Sequence, residues 1–161
     1  MVFDLSANTY DEAVRKFSIA VPERFNFGFD VIDRHAQEEG KRALVWTDAS
    51  GARSLEYSFR DIARLSNQAA NALRAAGVKK GDRVFIMLGR VPEWFFILVA
   101  CHKLGAVIMP APVILTAGDV AYRITQGRAG VVITNRANRA KVDEAMRKID
   151  PPFLKLRFRH G

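Results

Sequence analysis

A single cysteine in 161 residues, Cys101, leaves the chain unable to form an intramolecular disulfide, and its place in an apolar stretch reads as a small core hydrophobe in a reducing compartment. Histidine is almost as scarce. His35, His102 and His160 lie far apart, and none has a metal-ligand spacing with another His or Cys. The catalytic strings GxSxG, HExxH and CxxC are absent, so neither a serine elbow nor a zinc hydrolase is expected. The phosphate-cradling strings GxGxxG and GxxxxGK[ST] are missing too, and the glycines stand singly at the ends of elements. No long hydrophobic run occurs: the longest charge-free stretch, Leu104 to Gly118, falls short of the roughly 20 residues of a spanning helix and is broken by prolines. Asp4 stands early, with no basic-then-apolar order behind it, which argues against a secretory signal. These absences point to a cytoplasmic protein without a membrane span.

Acidic residues are the minority charge, 17 against 25 Lys and Arg, and the excess is local. Residues 123–161 carry ten basic residues against three acids, a net of +7, whereas residues 1–122 are close to neutral at +1. A solvated helix face followed by a basic tail accounts for this. Nucleic-acid binding is not expected, because no zinc-ligand spacing, RNP pattern or helix-turn-helix accompanies the charge. Hydrophobic residues make up 49% of the chain, enough to bury a sizeable core.

What is present is alternation. Gly81-Asp82 is a turn pair, and Arg83 to Leu88 is a continuous apolar run of the kind shown by a strand buried on both faces. Pro92 and Glu93 suit a first helical turn, and the helix they open, apolar nearly all round, should stop at Gly105. Ala106 to Met109 is the next strand, ended by the missing donors of Pro110 and Pro112. Thr116 with Asp119 starts a helix that should end near Gly127, and Val131 to Thr134 is a third strand. Upstream, Ala43–Thr47 and Ser54–Tyr57 flank the turn cluster Asp48 to Gly51 and read as a hairpin. Ser58 with Asp61 caps a helix whose apolar residues recur three and four apart until Gly77. Residues 1–30 form an N-terminal arm, helical from Thr9 to Phe17, with an aromatic cluster at Phe25, Phe27 and Phe29 that needs a surface to pack on. The fold class is α/β: alternating βα units with right-handed crossovers, forming a mainly parallel sheet with flanking helices.

The acidic pairs Glu38-Glu39 and Asp143-Glu144 lie in charged, helical-looking segments and read as solvated faces rather than as paired acid and base. Taken alone, the residues describe a scaffold without a visible active site.

The string GRVPEWFFILVACHKLGAVIMP, followed by Leu115-Thr116 and by Asp119 to Ile124, closely resembles the N-terminal region of AMP-forming acyl-CoA synthetases of the medium-chain fatty-acyl type. VPERFNFGFDVIDRHA looks like the family's N-terminal arm, YSFRDIARLSNQAANALRAAGVKKGDRV like its first capped helix and sheet entry, and AGVVITN like the strand that follows. The resemblance runs from Tyr10 to Phe158 with motif order preserved. It implies a two-step ligase that uses ATP, Mg²⁺ and coenzyme A on a fatty acid. It also implies that residues 31–161 are an incomplete N-terminal subdomain of the AMP-binding large domain. The family's triphosphate loop, Mg²⁺ carboxylate, ribose-binding Asp and mobile Lys all fall beyond Gly161 in the family pattern, so no catalytic residue is assigned and the chain is expected to be incompetent alone. Phe153 to Phe158 begins like a further strand that needs sheet neighbours, and the ending at Gly161 reads as a truncation that leaves an edge open to self-association. The resemblance places the loop Pro110 to Thr116 and the segment after Thr134 toward coenzyme A, which makes Arg136, Arg139 and Lys141 candidate contacts for its phosphates. The alternative is a non-catalytic α/β binding or assembly module acting through a partner.

Overall fold

The computed structural model describes residues 9–18, 22–149 and 156–160. The early residues that bear on a targeting signal, and Phe153 to Lys155 of the last expected strand, lie outside the described residues. Short helix α1, Tyr10–Lys16, is capped by Thr9, whose side chain accepts from the Glu12 amide at 3.2 Å, and it buries nothing. A π-helical segment, Gly28–Asp33, precedes an antiparallel hairpin of β1, Arg42–Thr47, and β2, Ser54–Ser58. There follow α2, Phe59–Ala75; β3, Arg83–Met87; α3, Glu93–Leu104; β4, Val107–Pro110; α4, Ala117–Gly127; β5, Val131–Asn135; α5, Arg139–Arg147; and β6, Leu156–His160.

Strands β3 to β6 form one sheet in the order β4-β3-β5-β6, with every neighbouring pair parallel. The α/β reading therefore holds. Period-two alternation sorts the sheet's side chains into two layers. Val84, Ile86 and Leu88 of the β3 segment, with Val131 and Ile133 of β5, meet Ala70 and Leu73 of α2 and Ala100 and Cys101 of α3. Phe85, Met87 and Val132 face the other way, against Val120 and Ile124 of α4 and Val142 and Ala145 of α5. A parallel sheet covered on both faces needs apolar residues at every position, which is why the β3 run is continuous rather than alternating. Thr134, the polar exception on β5, donates its buried hydroxyl to the Met87 carbonyl at 3.1 Å.

The helix starts agree with their sequence signals. Ser58 and Asp61 form a capping box on α2, Thr116 and Asp119 a second on α4, and Gly105 closes α3 at a left-handed φ of 67°. Most boundaries fall within a residue or two of the expected ones, and one stop signal is overridden. Strand β4 begins at Val107 and includes Pro110, which pairs with Ile86; an edge strand tolerates a missing N–H on its outer side, and the ladder runs on past it, the Ala111 amide donating to Ile86 O at 2.8 Å. Helix α4 ends at Gly127, where its signal puts the end, and the left-handed residue after it is Arg128, at φ 49°. Met109 packs against Gly127: a Cβ there would stand 2.9 Å from the Met109 sulfur and run into its methyl group. The phenylalanines of the arm do not close into a core of their own, since Phe25 and Phe29 are each about half exposed.

Cys101 is fully enclosed on α3, and burial alone pushes its thiol up to about 12. A thiol reagent such as DTNB is therefore expected to leave Cys101 unmodified in the folded protein at pH 8 and to titrate one thiol in denaturant; fast native labelling would contradict this packing. The Ser58 hydroxyl donates to Asp61 at 2.6 Å and holds that carboxyl below its ordinary value. A depressed folded pKa stabilises the fold above the unfolded value of about 4, and the contribution is lost as pH falls through the lower folded value. The stability gap between the wild type and Asp61→Asn, read from urea unfolding, is accordingly expected to shrink between about pH 6 and about pH 3.

Candidate functional site

From β3 the chain moves outward to β4 on one side, then crosses back over β3 to β5 on the other. The path thus reverses between β3 and β5, and the segments leaving their C-terminal ends diverge. In open α/β sheets such a reversal opens a crevice, and ligands bind there. Gly89 and Arg90 leave one side of it, and Asn135 and Arg136 leave the other. Asn135 bends its own exit: its side-chain oxygen accepts from the Asn138 amide at 3.2 Å and from Asn138 Nδ2 at 2.7 Å, which folds Arg136–Asn138 into a 3₁₀ turn.

The β1–β2 hairpin is strapped over this crevice. Trp46 on β1 donates its indole N–H to the Arg90 carbonyl at 2.6 Å, and Tyr57 on β2 meets Phe96 of α3 edge-on with ring centroids 5.2 Å apart. Two clefts result, with Trp46 in the wall of both. The first, of about 310 Å³, is lined by Trp46, Arg53, Tyr57, Pro92, Glu93 and Arg136 among others. The second, of about 630 Å³, runs between β1, the turn after β3 and the loop after β4, and is bounded by Val45, Arg90, Trp94, Phe95 and Val113. Neither lining contains a histidine, a cysteine or a pair of carboxylates. Aromatic walls with arginines at the rim suit a flat, anionic ligand, and the one carboxylate in the two linings is Glu93, at the start of α3.

The three candidate cations do not converge. Arg136 lines the first cleft. Arg139, one turn into the solvent, places its Nε 3.4 Å from Asp143, and Lys141 donates to the carbonyl of Val113 in the loop after β4. Arg53 and Trp46 reach the site from the hairpin and are absent from the sequence-based candidates. The hairpin itself has a local turn signal, but no pattern of consecutive residues marks the surface on which it folds.

The remaining titratable groups match the scaffold reading. Glu38 is held below its ordinary value first by Lys41, at 2.8 Å, and then by His35, at 2.6 Å. Glu144 pairs with Lys148 at 2.7 Å. His102 stacks near Phe27, with centroids 5.5 Å apart. Among the described residues, no three His, Cys, Asp or Glu side chains gather as a metal site, and the cleft linings do not fit Mg²⁺, a cation that takes carboxylate and phosphate oxygens. Among the same residues no helix is long and apolar enough to cross a membrane.

Similarity to known proteins agrees with this geometry. The family description of AMP-binding enzymes matches residues 32–158. Human mitochondrial acyl-coenzyme A synthetase ACSM4 is 34% identical over 154 residues, covering 91% of this chain and 26% of that protein. Human ACSM3 is 35% identical, covering 92% and 26%, and rat ACSM2 is 36% identical, covering 86% and 25%. All three carry the description mitochondrial, which lends no support to the cytoplasmic expectation. Among solved structures, the acyl-CoA synthetase of Brucella canis shares the fold at a TM-score of 0.79 and 24% identity, covering 94% of this chain and 28% of that one. The N-terminal domain of FACL13 from Mycobacterium tuberculosis follows at a TM-score of 0.72 and 25% identity, covering 84% and 34%. The chain spans about a quarter of the length of the curated relatives it matches. The match across residues 32–158 shows that this chain belongs to the AMP-binding enzyme family.

Proposed function

We propose that residues 31–161 are part of the AMP-binding large domain of an acyl-CoA synthetase, with residues 1–30 as its arm. In the intact enzyme, ATP and a fatty acid react so that a carboxylate oxygen bonds to the α-phosphorus and pyrophosphate leaves. The thiol of coenzyme A then attacks the acyl carbon, forming the thioester and releasing AMP. The observation that carries this reading is the identity of 34 to 36% to acyl-CoA synthetases over most of the chain. ATP, Mg²⁺ and coenzyme A belong to that whole reaction. The cleft linings described above contribute walls and cations, and the chain has no glycine-rich phosphate loop, so this chain alone performs neither step.

Arg136 is the residue of the three candidates best set to meet a coenzyme A phosphate, because it borders the first cleft. Arg139 and Lys141 join it only by exchanging Asp143 and the Val113 carbonyl for the ligand. A second reading, a non-catalytic α/β module that works through a partner or by self-association, draws on the apolar side chains left uncovered around the second cleft: Val45, Phe95, Val113 and, at 85% exposure, Ile114.

Purified protein incubated with ATP, Mg²⁺ and octanoate is expected to release no pyrophosphate above a no-protein control, and steady turnover would refute incompetence. Titration calorimetry with coenzyme A separates the two readings. Millimolar-range binding, weakened roughly tenfold by Arg136→Ala as befits one lost charge-assisted hydrogen bond, supports the synthetase site. Absence of heat, or heat unchanged in Arg136→Ala and Arg139→Ala, favours the module.

A further inference from the structure

The segment leading into the π-helix is fastened to the far end of α3, away from both clefts, almost entirely by polar contacts. Asn26 is its hub: its Nδ2 donates to the His102 carbonyl at 2.7 Å, its Oδ1 accepts from the Gly28 amide at 2.9 Å, and its own amide donates to Asp30 at 2.6 Å. Lys103, two residues before the left-handed cap of α3, closes the arrangement. Its side chain is only 3% exposed, and its ammonium donates to Asp33 at 2.6 Å and to Asn67 of α2 at 2.7 Å. The same ammonium lies 5.6 Å from the Phe29 ring centroid. Gly28 makes room for the lysine stem, since a Cβ there would collide with it. Apolar anchoring begins only at Ile32, which packs on Ile62, Phe96 and Val99.

We propose that residues 22–31 form a strap that opens as a unit about Ile32, with Lys103 as its latch: the lysine stem lies against Gly28 and its ammonium faces the Phe29 ring, while its ion pair with Asp33 fixes the hinge. The aromatic side chains of this strap hold it only from the surface: Phe27 tilts against His102 and Phe29 faces the Lys103 ammonium, yet Phe25, Phe27 and Phe29 stay 55%, 40% and 51% exposed. A segment with few buried apolar contacts opens locally, at a lower free energy than the sheet that lies beyond α2 and α3. The latch is one enclosed cation shared by three elements, the π-helical segment, α2 and α3, so removing it frees the strap while the hydrophobic layers stay intact. π-helical turns recur where a backbone must be held in an uncommon state, and here the holding contacts come from outside the turn. Opening uncovers the Asn26 and Lys103 contacts on α3 and releases the three phenylalanines together.

Hydrogen exchange followed by NMR or mass spectrometry tests this in Lys103→Met and in Asp33→Asn, the second variant preserving shape where the first does not fold. The amides of Gly28, Phe29 and Asp30 are expected to exchange at least tenfold faster in either variant, and trypsin is expected to cut after Arg24 correspondingly faster. The amides of β3 and β5 are expected to change less than twofold. Unchanged exchange at Gly28 to Asp30, or an equal acceleration in β3 and β5, overturns the proposal: the first outcome makes Lys103 dispensable to the strap, and the second makes the strap part of the global fold.

Discussion

Burial of β3 on both faces is the constraint from which the rest of this structure follows. Its four residues Val84 to Met87 are each no more than 1% exposed, and its backbone is bonded on both edges, to β4 and to β5. Both of its neighbours are parallel, so they are reached by crossovers rather than hairpins, and right-handed crossovers to its two sides put α3 and α4 on opposite faces. The position of the cleft is then a matter of topology. Where the chain leaves β3 for one side and later returns to the other, no helix can fill the gap above the C-terminal ends of β3 and β5. The hairpin roofs that gap, and Trp46, bonded to Arg90, divides it in two.

Three of the ten basic residues in the C-terminal quarter have local partners. Arg139 and Lys148 each meet an acid four residues away on α5, and Lys141 is occupied by a backbone carbonyl. Exposed pairs of this type stabilise little. Arg136 is different because the 3₁₀ turn lifts it off α5 and into the rim of the first cleft. The neighbouring Arg53, distant in sequence, shares the rim.

Much of the fold is legible in the sequence because its signals are local. The continuous apolar run of β3, the capping boxes at Ser58 and Thr116 and the left-handed Gly105 each act within a few residues, and each lies where the pattern places it. Pro110 departs from its local signal. Backbone preference alone makes it a stop, whereas an edge position in the sheet lets it continue the strand. The π-helical segment has no local pattern at all, since what sustains it is Lys103 and His102, some 70 residues away.

By itself, then, the sequence determined the element types, their order and the family, because hydrophobic period, caps and motif strings are written in consecutive residues. Only the tertiary structure decided which residues share a site. Trp46, Arg53, Glu93 and Arg136 come from the hairpin, the start of α3 and the turn after β5. They meet because the sheet reverses its direction of growth at β3, and neither that reversal nor the hairpin folding back over it leaves a mark at any single position of the chain.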